Sequence, residues 1–446
     1  MATTPLDEAT ELLQTMIRNQ CVNDGRPESG GEVKNAETLG AYLAGPGMDI
    51  RQYESRPGRG SMTLRVEGSD KKAPSLLMMG HIDVVPADPS GWKRDPFCGD
   101  LVDGEIWGRG AIDMLSITVT MAVAVKKLLR ERWKPKGTLI FSGMADEEAL
   151  GTWGAEWLVN NKWDDVKADA VLTESGEPPL PIPTKGGPKA IMVVGEKGSH
   201  WVGLKVKGTP GHGSMPYKTD NALVKAAEVV KRIAAYKPKL HLDGAWREFV
   251  DAMQFEEPLA SALVNVEAFP TALAQLPVGL ARAFDASTHT TFSPNILHSG
   301  QKTNIIPDSA LMQIDIRTVP GEEGPQVRAM LREAIGDLWD NVEIVDEDSN
   351  PASTSKTDAP IFQVMRNVTR KVLKGAEIVP MFTIGATDSR FFRRKGVPAY
   401  GYSVYSSNIP FGEFMTMFHG RNERIDQESL GLMLELYEQT AREYLG

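Results

Sequence analysis

Cysteine is nearly missing from this chain: two thiols, Cys21 and Cys98, stand among 446 residues. One pairing at most is possible, so no disulfide framework holds the fold, and a reducing cytoplasm is the expected setting. Long hydrophobic runs are missing too, and the apolar stretches are far too short to span a bilayer as a helix. The opening "MATTPLDEATELLQTMIRNQ" lacks the basic end, apolar middle and small-residue cleavage site of a signal peptide, so no export is expected. Excess positive charge is also absent: 49 Lys and Arg against 59 Asp and Glu leave a formal charge of −10. That balance disfavours nucleic acid and anionic membranes as partners and points to small molecules or peptides. Neither an internal repeat nor a low-complexity tract interrupts the sequence.

What is present is ordinary globular composition, 41% hydrophobic and 24% charged, in a chain long enough for two domains. Apolar spacing predicts a helix from Leu6 to Ile17, a second in "VKNAETLGAYLAG", and strands in "SMTLRVEG" and "SLLMMGHIDVV". A loop rich in Pro, Trp and Asp leads to "LSITVTMAVAVKKLLRE", a buried helix whose basic end complements its dipole. "GTLIFSGMADEE", "GAEWLVNN" and "ADAVLTE" then read strand, helix, strand. This alternation predicts an α/β fold on a mixed, largely parallel sheet. From about Gly195 the pattern shifts to period-two strands ("SHWVGLKVKGTPG", "SALMQIDIRTV") with two amphipathic helices, which predicts a smaller α+β unit inserted in the larger one. The divisions fall at 1–195, 196–350 and 351–446. The stretch from Pro238 to Pro294 reads as irregular, an insertion within the smaller unit.

Carboxylates and histidines gather where predicted apolar strands end. His81 closes such a strand, and Asp83, two residues on, would face the same way and could fix the tautomer of its ring. Asp113 follows the Gly-rich "WGRGAID" just before a buried helix, where it reads either as an N-cap or as a ligand. In "FSGMADEEALG", Asp146, Glu147 and Glu148 crowd onto one strand exit and repel one another unless cations compensate. Neighbouring glutamates can divide roles, one ligating a metal and the other serving as general base. Glu174 ends the strand "ADAVLTE" with Glu177 close behind, and His419 precedes a Gly turn in "MTMFHGRNERID". Oxygen and imidazole donors without thiolate suit an open catalytic zinc site, and manganese or cobalt could occupy the same set.

These blocks, together with "GTPGHGSMP", "NIIPDSALMQIDIRTVPG" and "GATDSRFF", occur in the order found in a known family. The sequence resembles the dizinc amidohydrolases and metallopeptidases that include aminoacylase, glutamate carboxypeptidase, succinyl-diaminopimelate desuccinylase and acetylornithine deacetylase. The resemblance implies a zinc-dependent exopeptidase-like catalytic domain carrying an inserted lid domain that also dimerises. It implies two zinc ions per subunit: His81 and Glu174 on one, Glu148 and His419 on the other, and Asp113 bridging, with Glu177 in reserve for Glu174. Glu147 would be the general base and Asp83 would orient His81. In dimeric relatives the histidine matching His212 reaches into the neighbouring subunit's site to stabilise the oxyanion, so a homodimer is expected. Asn304, Arg317 and the loop from Gly385 through Thr387 to Asp388 match segments that hold substrate. Many relatives follow the bridging aspartate with Met-Lys-Gly, whereas Met114 is followed here by Leu115 and Ser116, which bears on loop packing rather than ligation. The implied reaction is hydrolysis of an amide bond in a small peptide, as in a dipeptidase or carboxypeptidase. N-acyl-amino-acid deacylation and ureido or carbamoyl hydrolysis would use the same machinery, and a metal-binding scaffold is the non-enzymatic alternative.

Overall fold

Thr138–Met144, Ser75–His81, Ala170–Thr173 and Ala399–Gly401 run side by side and parallel in the computed structural model, which describes residues 3–46 and 48–446. They form the centre of a nine-stranded sheet. Leu76 through Met79 are buried on both faces of that sheet, which is why they read as a continuous apolar run rather than an alternating one. Asp49–Glu54 and Gly60–Val66 extend one side antiparallel. On the other side Lys189–Glu196 meets Ala399–Gly401 antiparallel, and it pairs with Glu377–Thr383 and Ser353–Thr354. The sheet is therefore mixed and largely parallel, as expected.

Helices cover both faces. Pro5–Arg18, Leu115–Arg130 and Gln427–Leu445 contribute to one continuous core with the sheet. Pro5–Arg18 starts where Thr4 and Asp7 form a reciprocal capping box with proline in the first turn. Leu115–Arg130 buries every residue from Leu115 to Val125, and its exposed end carries Lys127 and Arg130. Ala155–Asn161 and the Phe391 and Phe392 rings of Ser389–Arg394 line a second core cluster with Leu77, Met79 and Val171.

One residue, Lys197, separates the large sheet from Gly198–Lys207, an inner strand of a second sheet. This four-stranded antiparallel sheet runs in the order Thr291–Ser299, Ser309–Thr318, Gly198–Lys207, Val342–Asn350. Ser309–Thr318 alternates between buried and more open positions with period two. Ala222–Ala235 and Gly324–Ile335 cover one face, while Trp201 and Leu311 stand exposed. The chain returns to the large sheet at Ser353–Thr354.

The reading of Pro238 to Pro294 needs correction: most of it is helical, in Gly244–Met253, Leu259–Ala262, Phe269–Leu273 and Val278–Ser287. Trp246, Phe249, Phe255, Phe269 and Phe284 make its core, together with Ile191 and Val379 from the large sheet. In packing, the segment therefore belongs with the nine-stranded sheet, although it lies between strands of the smaller one in sequence. Among the described residues no helix is long and apolar enough to cross a membrane.

Candidate metal centre

Each predicted ligand sits at or near the end of an element that fixes its backbone. His81 is the last residue of Ser75–His81, and the Thr118 hydroxyl donates to its carbonyl oxygen at 3.0 Å. Gly80 makes that approach possible, because a Cβ there would lie 2.2 Å from Thr118 Oγ1. Asp113 does not cap Leu115–Arg130: Met114 holds the cap position with no side-chain capping bond. The Asp113 carboxylate points instead between two imidazoles, Oδ1 at 3.1 Å from His81 Nε2 and Oδ2 at 3.4 Å from His419 Nε2. Glu148 lies in the single 3-10 turn Glu147–Ala149 after Thr138–Met144, with Oε2 3.2 Å from His419 Nε2. Glu174 follows Ala170–Thr173 directly and brings Oε2 to 3.7 Å from His81 Nε2. The result is two triads with a common member: His81, Asp113 and Glu174, then Asp113, Glu148 and His419, each with its donor atoms within 4.8 Å of one another. Glu177 belongs to neither triad, and burial pushes its carboxyl up to about 7.

Asp83 reaches His81 differently from the strand-face expectation. The strand ends at His81, the chain turns, and His81 Nδ1 lies 3.1 Å from the Asp83 carbonyl oxygen and 3.5 Å from its Oδ1. The carbonyl oxygen, within hydrogen-bond distance, favours a proton on Nδ1, leaving Nε2 toward Asp113 and Glu174.

The electrostatics call for cations. Burial, reinforced by Glu174, holds Glu147 well above the usual carboxylate range, and burial with Asp113 raises Glu148. Glu174 is likewise held well above that range by burial, with Asp113 adding to it against the pull of His81. His419 is pushed up to about 10 by its hydrogen bonds to Asp113 and Glu148. Asp83 Oδ1, Glu148 Oε1 and Glu174 Oε1 are buried without hydrogen-bond partners. Oxygens of this kind are costly in a dry interior, and two divalent ions between the triads would compensate the charge and give the Glu148 and Glu174 oxygens a partner. The residues present fit a dinuclear centre.

The remaining candidates stand apart from the triads. Thr387 is buried, and its N–H and hydroxyl both donate to Glu196 Oε2, at 2.6 and 2.9 Å. Gly385 is exposed, its N–H 3.3 Å from Thr383 Oγ1. The Arg317 fork is engaged by Asp315 at 2.8 and 3.2 Å. His212 and Asn304 are exposed and adjacent, with the Asn304 carbonyl accepting from Gly213 N–H.

Sequence reasoning passed over a buried network behind the ligands. Asn23 donates to Asp83 Oδ2 at 2.9 Å, and Arg59 donates to Asn23 Oδ1 and Glu32 Oε1 at 3.0 and 2.6 Å. Asp388, the last residue of the loop from Gly385, is also buried, with Oδ1 unpartnered, and its charge raises both Glu147 and Glu174. The signal for Asp388 was its place in the quoted "GATD". Nothing local marks Asn23, Glu32 or Arg59.

A largely parallel sheet whose strand ends present two carboxylate-sharing triads defines a metal-dependent hydrolase. The model of peptidase family M20/M25/M40 matches residues 77–443, and the chain belongs to that family. N-fatty-acyl-amino acid synthase/hydrolase PM20D1 of Xenopus tropicalis is 28% identical over 382 residues, 84% of this chain and 74% of the relative. Aminoacylase-1 of Mus musculus is 24% identical over 421 residues, 94% and 90% of the two chains. Among solved structures, the M20 family metallo-carboxypeptidase Sso-CP2 of Sulfolobus solfataricus superposes with a TM-score of 0.72 at 20% identity, covering 98% of this chain and 99% of that one. The Bacillus subtilis YXEP protein, described as a dinuclear metal-binding peptidase of the M20 family, gives 0.64 at 15% identity and 98% of both chains.

Proposed function

We propose that this protein hydrolyses an amide bond in a small peptide, in the manner of a dipeptidase or carboxypeptidase, at a centre of two zinc ions. The pair of triads joined at Asp113 carries the reading, since each offers three donors to one ion. Two ions, held by His81, Asp113 and Glu174 and by Asp113, Glu148 and His419, would supply an acidified water and a Lewis acid for the carbonyl oxygen. Glu147, beside both triads, takes the proton of the attacking water and returns it to the departing amine nitrogen. His81, held by Asp83 through Nδ1, keeps its Nε2 free for ligation. Zinc suits the donor set, and manganese or cobalt is compatible with it.

The chain divides, in this reading, into a catalytic unit of residues 1–195 and 351–446 and a lid within residues 196–350, whose helical segment between 238 and 294 packs on the catalytic sheet. The two crossings beside Lys197 and before Ser353 support that division. Asn304, Arg317 and the Gly385–Thr387 loop receive the substrate, Arg317 by exchanging Asp315 for a substrate carboxylate. The lid also pairs two subunits. Exposed Ile296 and Leu297 on the edge strand Thr291–Ser299, with Met215 and Tyr217 near His212, support this. His212 of one copy then donates to the oxyanion in the other. Free thiols at Cys21 and Cys98 fit a cytoplasmic setting.

A second reading, deacylation of an N-acyl amino acid, is favoured by the names of the sequence relatives above. The two readings share every step at the reacting carbon and differ in what flanks it. The test is a Glu147→Ala protein assayed against dipeptides, N-acetyl amino acids, succinylated diamines and ureido compounds. It should retain two metal ions and lose about a hundredfold or more of kcat on whichever class the wild type cleaves. Wild-type turnover by Glu147→Ala with both ions bound would overturn the assignment. The class cleaved fastest by the wild type decides between the two readings.

A further inference from the structure

The loop that presents Asp113 is built around a buried anion from the other end of the chain. Glu423 is fully enclosed, and its Oε1 accepts from the backbone N–H groups of Gly110, Ile112 and Asp113 at 3.1, 2.8 and 3.1 Å. Its Oε2 accepts from Arg109 Nη1 at 2.7 Å, and Arg109 Nη2 donates to the Gly420 carbonyl at 2.8 Å. The Gly108 N–H donates in turn to the Glu423 carbonyl oxygen at 2.9 Å. Gly420 adjoins His419, so one carboxylate and one guanidinium fasten the Asp113 loop to the His419 turn.

The chemistry of the clamp is specific. Convergent backbone N–H groups bind an anion as a nest does, and charge-assisted hydrogen bonds are shorter and more directional than neutral ones. A neutral or shorter side chain at position 423 could not satisfy all three N–H groups and the guanidinium together. The burial also runs against a purely electrostatic role: Glu423 adds negative charge beside a cluster already crowded with carboxylates, which is tolerated because Arg109 accompanies it. What the pair supplies is position. Asp113 must keep Oδ1 toward His81 and Oδ2 toward His419 at once, and a rotation of its backbone would satisfy one imidazole at the expense of the other.

We infer that Glu423 and Arg109 are positioning residues that hold Asp113 as the shared ligand of the two triads and couple it to His419. This rests on the reading of Asp113 as a bridge between two ions. Groups that orient ligands from behind commonly change metal affinity by 10- to 100-fold. The experiment is calorimetric titration of metal-free wild type, Glu423→Gln, Glu423→Ala and Arg109→Lys with Zn²⁺, alongside the melting temperature of each metal-free protein. The dimanganese forms are compared by electron paramagnetic resonance for coupling between the ions.

Wild type should take up two ions, and Glu423→Ala should bind the weaker one about 10- to 100-fold less tightly and lose the coupled signal. Glu423→Gln, whose amide oxygen can still accept, should fall between them. A residue that merely stabilises the fold would lower the melting temperature and leave the affinity of the folded fraction unchanged. Wild-type affinity for both ions in folded Glu423→Ala overturns the inference. Should Glu423→Ala not fold, unchanged affinity and coupling in both Glu423→Gln and Arg109→Lys overturn it equally. If wild type itself binds fewer than two ions, the dinuclear reading fails instead, and the two failures are thereby distinguished.

Discussion

Arg59 is 2% exposed and carries a full charge, and its surroundings account for both facts. Glu32 Oε1 lies 2.6 Å from Nη1 and Asp146 Oδ1 3.5 Å from Nε, while Asn23 relays the contact to Asp83. Burial, with the charge of Asp83, pushes Glu32 up to about 7 even with the guanidinium in place. Replacing Arg59 by Met keeps much of the volume and removes the positive charge from a site holding Glu32, Asp83 and Asp146. Breaking a buried pair in this way costs about 3–5 kcal/mol, because the partners are left uncompensated. Urea unfolding of the metal-free Arg59→Met protein should show a loss of that size, and a loss under about 1 kcal/mol would mean that the network is neutral without its cation. Asn23, Glu32 and Arg59 were not legible in advance. They come from segments with no shared local pattern, and an arginine in "SRPGRG" looks like any solvated loop residue until tertiary packing encloses it, whereas Asp83 and Asp146 stood out by their places beside His81 and Glu147. His81, Asp113, Glu148, Glu174 and His419 were legible because each carries its context with it: an apolar strand or Gly turn beside a group that is expensive to bury alone.

At the scale of elements, periodicity read correctly where a single element is buried by the sheet. Ser75–His81 and Thr138–Met144 are continuous apolar strands inside a parallel array, and Ser309–Thr318 shows the two-residue alternation of a sheet covered on one face. The same logic failed from Pro238 to Pro294. Leu259–Ala262 and Phe269–Leu273 are only 4 and 5 residues long, too short for a 3.6-residue period to declare itself, and Pro258, Pro270 and Pro277 punctuate them. What holds these turns is aromatic packing among residues distant in sequence. Trp246 packs against Phe249 at a tilt and meets Phe284 and Phe269 edge-on, with ring centroids 5.2, 5.3 and 5.9 Å apart, and its indole N–H donates to the Leu263 carbonyl at 2.8 Å. Trp246→Ala removes the centre of that cluster and leaves a buried carbonyl short of a donor, so a loss of about 3–5 kcal/mol is expected. Ile191 and Val379 tie the cluster to the large sheet, so the loss should appear in global chemical denaturation and not only in local proteolysis. A global midpoint equal to wild type would show that the segment unfolds as an independent unit.

For the whole molecule, the open question is whether one chain completes its own site. The triads are assembled within a single chain, but His212, the proposed oxyanion donor, is exposed on the short ribbon Gly211–His212 paired with Ile305–Ile306, and its Nδ1 accepts from the Ser214 N–H and lies 2.8 Å from the Ser214 hydroxyl. These contacts engage Nδ1 and leave Nε2 for other partners. If Nε2 serves the site of a second copy, the symmetry of a two-fold dimer makes a strict prediction. Glu147→Ala and His212→Ala are each expected to be nearly inactive as homodimers. In a mixed dimer, the subunit with Glu147 intact receives His212 from its neighbour and is whole, while the other site lacks both. Random exchange of equal amounts makes half the dimers mixed, each with one competent site, so activity should recover to about a quarter of wild type. The mixture is prepared by co-refolding or by subunit exchange at low concentration, and sedimentation before and after establishes that dimers are present. Recovery near that fraction requires that His212 act across the interface. If the dimers mix and no activity returns, His212 does not act across the interface.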